Sequence, residues 1–403
     1  GFAAGLEASH NALNSRGSGP RVHMSRQFIS VDIGTGTQDI FLLRSGIGAE
    51  NGFKLVMPSP TMIVRGRIQD ATRRGVPLLL RGVSMGGGPC HWAAKDHLRA
   101  GLPLFATPDA ARTFNDDLEW VEHEMGVQIV SEDEACGLAN VDVIEMRDFE
   151  YAAIEAALRA FGVQLSPSAI VVGVFDHGAA PPGVSDRIFR FEYLERRILE
   201  SNRLSAFAYP AEDIPAALTR MRAVAASPAP DCPLIVMDNA PAAVLGALLD
   251  PTAAGRQHHL VANVGNLHTL AFRLGPGGVE GLFEHHTGLI DRARLEVLLE
   301  QLAHGTLSND EIFDENGHGG RLFVEDPTPA LPDRAPVLVT GPRRRMLRGS
   351  RLLIHDAAPL GDMMLAGCFG LLLGAADHLP RWEAEIRESL SDRFAHIAPW
   401  DVS

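Results

Sequence analysis

The segment Val31-Asp32-Ile33-Gly34-Thr35-Gly36-Thr37-Gln38-Asp39-Ile40 joins two apolar, strand-like runs through a turn built from glycines and threonines. Glycines let a backbone approach another group closely, and clustered N–H groups in such a turn form a concave nest for an anion. Asp32 ends the first run, where a carboxylate can hold Mg²⁺ through water. A plain Gly-rich hairpin with Asp32 as a turn residue has the same pattern.

Outward from this turn, strands are predicted at 27–33, 38–44 and 53–57. Alternating strands and helices come next: strands at 76–83, 102–106, 127–130, 169–175 and 233–237, and helices at 89–100, 108–124, 149–162 and 211–226. Near residue 250 the three-strand opening recurs at 258–264, 268–274 and 279–285, then a helix at 291–304, strands at 336–340 and 352–355, and a small-residue helix at 362–376. The second opening carries its own turn, Val261-Ala262-Asn263-Val264-Gly265-Asn266-Leu267-His268-Thr269, at the matching place. The repeat predicts an α/β fold of two βββαβα units facing a cleft, the first enlarged by insertions. The expected divisions are a disordered tail or cloning remnant at 1–25, a first domain at 26–250 and a second at 251–403, with residues 325–335 as a proline-rich loop.

The paired turns resemble those of the superfamily of actin, sugar kinases and the seventy-kilodalton heat-shock chaperones, in which two such hairpins clasp the phosphates of ATP. Three further segments extend the likeness in the family's order. Val236-Met237-Asp238-Asn239-Ala240-Pro241-Ala242-Ala243 is similar to its first connecting helix, Pro336-Val337-Leu338-Val339-Thr340-Gly341-Pro342-Arg343 to its adenosine motif, and Leu360-Gly361-Asp362 through Ala375 to its second connecting helix. The resemblance implies two RNase H-like domains and ATP with Mg²⁺ as cofactors. It assigns catalysis to Asp32, holding Mg²⁺ through water, and to Asp238, accepting a proton from an acceptor hydroxyl. Nucleotide contacts fall to Gly34, Thr35, Gly36, Thr37, Gln38, Asn263, Gly265, Asn266, His268, Thr269, Gly341, Pro342 and Arg343. At a finer level the chain resembles an uncharacterised bacterial and archaeal branch often labelled pyruvate formate-lyase activating enzyme. A radical S-adenosylmethionine activase needs a Cys-x-x-x-Cys-x-x-Cys site, and Cys90, Cys136, Cys232 and Cys368 lie far apart. Asn263 stands where hydrolysing members place an aspartate; an amide can bond phosphate but cannot act as a carboxylate base.

Outside these motifs, Gly86-Gly87-Gly88-Pro89-Cys90-His91 leads into a helix with His91, Lys95 and Arg99 on one stripe. That is either a seat for an anionic substrate group or a turn before a solvated cationic face. Cys90 is a candidate thiolate with no evident base. Asp176 and His177 end a buried-type strand and Arg187 comes after them, offering substrate contacts or turn organisation. Glu284-His285-His286 and Asp314 to His318 contain donors for a divalent metal, although adjacent strand histidines point to opposite faces. Arg343-Arg344-Arg345 either touches ribose or phosphate or is solvated.

The 403 residues carry 50 acidic against 36 basic side chains, a formal charge of −14, which argues against nucleic acid as a partner. No apolar run reaches the ~18 to 20 residues of a membrane span, and a reduced cytoplasm is expected. The expected activity is an ATP-dependent phosphotransferase acting on an unidentified small molecule. The alternatives are a nucleotide-switched ATPase or activator of a partner protein, and a scaffold that has lost its nucleotide.

Overall fold

The computed structural model describes residues 25–325 and 335–401. Residues 1–24 of the expected tail at 1–25 and most of the proline-rich loop, with Pro327, Pro329 and Pro332, lie outside the described residues. In chain order the strands are β1 (Gln27–Ile33), β2 (Thr37–Arg44), β3 (Phe53–Pro58), β4 (Leu78–Gly82), β5 (Leu104–Ala106), β6 (Gln128–Ile129), β7 (Asp142–Met146) and β8 (Pro167–Val174). They continue as β9 (Ala208–Pro210), β10 (Leu234–Asp238), β11 (His259–Val264), β12 (His268–Gly275), β13 (Gly278–His286), β14 (Gly317–Leu322), β15 (Val337–Thr340) and β16 (Ile354–Asp356). The helices that shape the site are α1 (Pro60–Arg74), α2 (Pro89–Arg99), α3 (Asp186–Glu200), α4 (Asn239–Ala247), α5 (Arg292–His304) and α6 (Ala366–Ala376).

The fold is mixed α/β, with three sheets among the described residues. One has the order β3-β2-β1-β8-β10-β9 and another β14-β13-β12-β11-β15-β16. Each is built on an antiparallel three-strand meander whose first strand pairs in parallel with a later one, β1 with β8 and β11 with β15. The central strands are apolar on both faces, as β8 shows in Ala169, Ile170, Val171 and Val172, none with exposed surface, because helices cover the sheet on either side. Both hairpins close alike: Gly34 N–H donates to Thr37 O at 3.0 Å, and Gly265 N–H to His268 O at 2.9 Å.

The third sheet, β6-β5-β4-β7, is wholly parallel and has its own core of Val64, Ile68, Leu80, Ala94, Leu104 and Ile144. The sequence pattern predicts β4, β5 and β6 but neither β7 nor the separate sheet the four form, since alternation of strand and helix says nothing about which sheet a strand joins. Helix α1 also lies outside the pattern-based expectation. Its signals are local: Ser59 caps Met62 N–H, Pro60 takes the first position, and Gly75 closes it at φ 68°.

Two expected helices are broken. Over 108–124 helix survives only at Pro108–Ala111 and Leu118–Trp120, with a π-turn after them at Val121–Met125. Asn115 accepts from Asp117 N–H and Asp117 from Glu119 N–H, so short polar side chains outcompete the helix ladder and cap a new start. Over 211–226 only Thr219–Ala225 is α-helical, because Pro215 holds Ile214 extended at ψ 122°. Conversely, 317–322, where the sequence pattern predicts no strand, pairs with β13 as an edge strand.

Helices α4 and α6 cross with backbones in contact. A Cβ on Gly246 would sit 2.6 Å from the Ala366 carbonyl carbon, and one on Gly370 2.6 Å from that of Ala242. Helix α6 packs on β1 and β8, and Cys368 Sγ donates to Asp39 O at 3.0 Å. Among the described residues no helix is long and apolar enough to cross a membrane.

Candidate functional site

The two hairpin turns and the turn after β15 meet at one cleft of about 890 Å³, its open mouth included. Their proximity is tight: a Cβ on Gly36 would lie 3.1 Å from Asn266 Nδ2, and one on Gly341 2.6 Å from Asn263 Oδ1. Gly341 has φ 96°, so the sharp exit of β15 requires glycine, and Arg343 N–H then donates to Val264 O at 3.0 Å. The first turn is braced from behind by Ser59, whose hydroxyl donates to Thr35 O at 2.6 Å and whose N–H donates to Gly36 O at 3.1 Å. Ser59 has no sequence signature beyond its helix cap.

Asp32, Gly34, Thr35, Gly36, Thr37, Asn263, Gly265, Asn266, His268, Gly341 and Pro342 all line this cleft. Gln38, Thr269 and Arg343 do not. Gln38 Nε2 donates to Pro58 O, Thr269 is buried against the Thr287 hydroxyl at 2.8 Å, and Arg343 is exposed. Its neighbour Arg344 lines the cleft instead, donating to Gly341 O at 3.2 Å.

Asp32 and Asp39 are paired across β1 and β2, so both carboxylates project from one face into the cleft. Neither Oδ1 has a hydrogen-bond partner. Burial pushes Asp32 up to about 7, against a hydrogen bond from Asn239, and burial together with the charges of Asp32 and Asp362 pushes Asp39 up to about 8. Two adjacent carboxylates with orphaned oxygens suit a divalent cation, so the residues present fit Mg²⁺. Asp39 is invisible to the turn motif because its relation to Asp32 is one of cross-strand register.

Asp238 is placed differently from its expected role. It has no exposed surface, caps Ala240 N–H at the start of α4, and pairs with the equally buried Arg190. Arg190 also donates from Nε to Glu284 Oε2 at 3.2 Å and to Asp176 O at 3.1 Å. Asp238 is thus held by structural partners in this conformation. Asp176 accepts from Gly178 N–H and Met221 N–H, organising the turn that presents His177.

The Gly86–Gly88 turn reaches the cleft wall. Gly88, at φ 52°, lies with its Cβ direction 3.4 Å from Leu267 Cδ1 and 3.9 Å from Thr35 Cγ2, facing both hairpin turns. Asp148 fixes it by accepting from Gly86 N–H and from Arg220. His91 packs against Phe114, with burial and Lys95 lowering it to about 4. Lys95 lies over the Trp120 ring and Arg99 pairs with Asp96, so the stripe on α2 serves its own surface. Burial pushes the Cys90 thiol up to about 11, which removes it as a nucleophile at neutral pH. Arg187 bonds Phe313 O and Gly317 O and lies over the Phe313 ring, so it ties α3 to the second sheet.

At one end of the cleft four histidine rings gather around Glu284. His268 stacks on Phe175 at 4.1 Å and lies 5.0 Å from His177, His286 and His318. Burial and neighbouring rings hold His177 well below its usual value, His318 down to about 3 and His286 down to about 4. Glu284 is lowered despite burial, because His318 and Arg190 face it. The expected donors Glu284 and His318 do meet, but His285 turns away to its neighbour's carbonyl. His177 and His268, from other segments, take its place.

The model of the family described as "Putative pyruvate format-lyase activating enzyme (DUF1786)" matches residues 85–346, more than half of the chain. The chain belongs to this family. The likeness to that branch read from the sequence is therefore borne out. No curated protein matches. Solved structures similar to this family member include the PPX-GPPA enzyme of Aquifex aeolicus, at 9% identity and a TM-score of 0.19, with 67% of this chain and 56% of that one covered. An exopolyphosphatase-like protein is similar at 13% identity and a TM-score of 0.16, covering 72% and 58%. A carbohydrate kinase from Novosphingobium aromaticivorans is similar at 13% identity and a TM-score of 0.20, covering 93% and 88%. The chain thus spans less than two thirds of the first two structures.

Proposed function

We propose that the protein binds Mg-ATP between two RNase H-like units of the actin-like kind, spanning 26–250 and 251–403, and transfers a phosphoryl group to a small molecule. The convergence of three glycine turns on one cleft beside the orphaned oxygens of Asp32 and Asp39 carries this reading. Backbone N–H groups of the first two turns suit phosphate oxygens, and the Gly341–Pro342 turn with Arg344 suits base and ribose. Bound Mg²⁺ would neutralise charge on the transferred phosphoryl group; Asp32 and Asp39 are the residues to hold it. Positioning does the rest, since the Gly86–Gly88 turn faces both hairpin turns and can wall off an acceptor. Asp238 can accept the acceptor's proton only if Arg190 releases it.

The neutral Asn263 in the second turn favours a second reading, a nucleotide-switched activator with slow turnover, in which domain angle and not product is the output. The family description names an activating enzyme; in this second reading activation uses nucleotide, and these 403 residues contain no Cys-x-x-x-Cys-x-x-Cys site.

Titration calorimetry of Mg-ATP on the wild type and on Asp32→Ala, with ADP followed in the same samples, separates these. Binding lost in Asp32→Ala, with ADP formed only when a metabolite mixture is added, supports phosphotransfer. Binding without turnover supports the switch, and no binding by the wild type overturns both.

A further inference from the structure

His177 lies just after β8, His268 opens β12 and His318 lies in β14, yet one ring nitrogen from each comes within 4.8 Å of the other two. Among the described residues this is the group of histidine, cysteine and carboxylate side chains with the geometry of a metal site. The donors are short of partners. His318 is 2% exposed, and neither of its ring nitrogens is hydrogen-bonded. Glu284 is wholly buried, and its Oε1, 3.2 Å from His268 Nδ1 and 3.7 Å from His318 Nε2, is left without a hydrogen-bond partner. Leaving a buried donor or acceptor unsatisfied costs about 1 to 3 kcal/mol each. Orphaned atoms on three neighbouring side chains mark a place built for something that is shared among them.

The surroundings are set before any ligand arrives. Asp176 clamps the backbone beyond His177, Phe175 stacks on His268, and Arg190 engages Glu284 Oε2 so that Oε1 is left facing the imidazoles. We infer that His177, His268 and His318, with Glu284 as the adjoining carboxylate, form a binding site for a divalent transition ion of the zinc class at the end of the cleft. Ring nitrogens of a tetrahedral site with ~2.1 Å bonds stand roughly 3.4 Å apart, so small side-chain rotations close the present spacing. An imidazole-rich donor set selects zinc, cobalt or nickel over magnesium and calcium, which prefer oxygen. The site is therefore separate from the Asp32 and Asp39 pair in both place and preference. Because His268 and Phe175 line the cleft, an oxygen of a bound acceptor can reach the ion there.

Metal binding at the histidines does not depend on the nucleotide reading, and its test uses no nucleotide. The full-length protein is stripped with a chelator and titrated with Zn²⁺ and with Co²⁺, monitoring heat, bound metal by mass spectrometry and the visible cobalt spectrum. One equivalent is expected, with cobalt bands of a nitrogen-rich tetrahedral site and no displacement by millimolar Mg²⁺. His318→Ala and His177→Gln should each weaken Zn²⁺ binding at least 100-fold while far-ultraviolet circular dichroism stays native. His304→Gln, on the exposed end of α5, should leave it unchanged. Less than one-tenth of an equivalent on the folded wild type overturns the site, as does binding that both folded variants retain. Should His318→Ala fail to fold, His177→Gln alone decides, since His177 lies at a turn and not in a strand.

Discussion

Replacing Gly370 by alanine puts a methyl group between α6 and α4, where it would meet the Ala242 carbonyl oxygen and stand 2.6 Å from its carbon and 2.7 Å from Gly246 N. Ordinary contact begins at 3.4 Å, so the helices must part by at least about 0.8 Å along that line. The obstruction is backbone on both sides and no rotamer change relieves it. Overpacking of this kind costs about 1 to 3 kcal/mol, while alanine in a helix interior returns about 1 kcal/mol over glycine. Because the clash is severe, a net loss of about 2 kcal/mol is expected for Gly370→Ala, with a similar loss for Gly246→Ala. Gly66 in α1 is the matched control, being helical and exposed with nothing within 4 Å of its Cβ direction, so Gly66→Ala should gain about 0.5 to 1 kcal/mol. Urea unfolding monitored by circular dichroism reads all three. If Gly370→Ala and Gly66→Ala shift the midpoint in the same direction, the close crossing of α4 and α6 is wrong.

Gly367→Ala places its methyl against the Asp32 carboxylate, 2.6 Å from Cγ, and should weaken Mg-ATP about 10-fold or more with the protein still folded; unchanged calorimetric affinity would exclude Asp32 from the site. Arg190→Met strands two buried carboxylates and should cost about 3 to 5 kcal/mol, much of it regained when Asp238→Asn and Glu284→Gln are added, as chemical denaturation will show. Asp32 and Asp39 hold protons in the folded state up to about 7 and 8, against an ordinary carboxyl value of 3.8, so their contribution to stability is complete below about pH 4 and is lost as pH rises through 7 and 8. In EDTA the stability difference between Asp39→Asn and wild type should widen in the variant's favour from pH 5 to 8.5 and shrink when Mg²⁺ is added; a flat difference refutes the pairing. At pH 8 a thiol reagent should modify exposed Cys136 first and leave buried Cys90 and Cys368 untouched until unfolding, which peptide mapping detects.

Local pattern reveals what depends on local chemistry. The hairpins around Asp32 and Asn263 declare themselves because strand, glycine turn and strand fall within about fifteen residues, and their repetition points to the paired sheets. What stays hidden depends on pairings between distant segments. The register that sets Asp39 opposite Asp32, the separate sheet of β4 to β7, and the meeting of His177, His268 and His318 are all decided by tertiary contacts. Arg190 escapes a linear reading because an arginine in an amphipathic helix usually faces water, whereas here two carboxylates offset its burial. Asp238 is legible as a residue that matters, but its neighbourhood gives it partners that a linear motif cannot show.

Arg190 also has a mechanical consequence. It is held by Asp238 and Asp176 on the first sheet's side and by Glu284 of β13 on the other, all out of contact with water. Pulling that point apart would leave bare charges in a low-dielectric interior, a cost of several kcal/mol that keeps such separation rare. In the two-unit arrangement proposed above, opening of the cleft would therefore pivot about this point more easily than it would part across it. Such a pivot would leave the histidine end nearly still and concentrate displacement at the mouth, where the lever arm is longest.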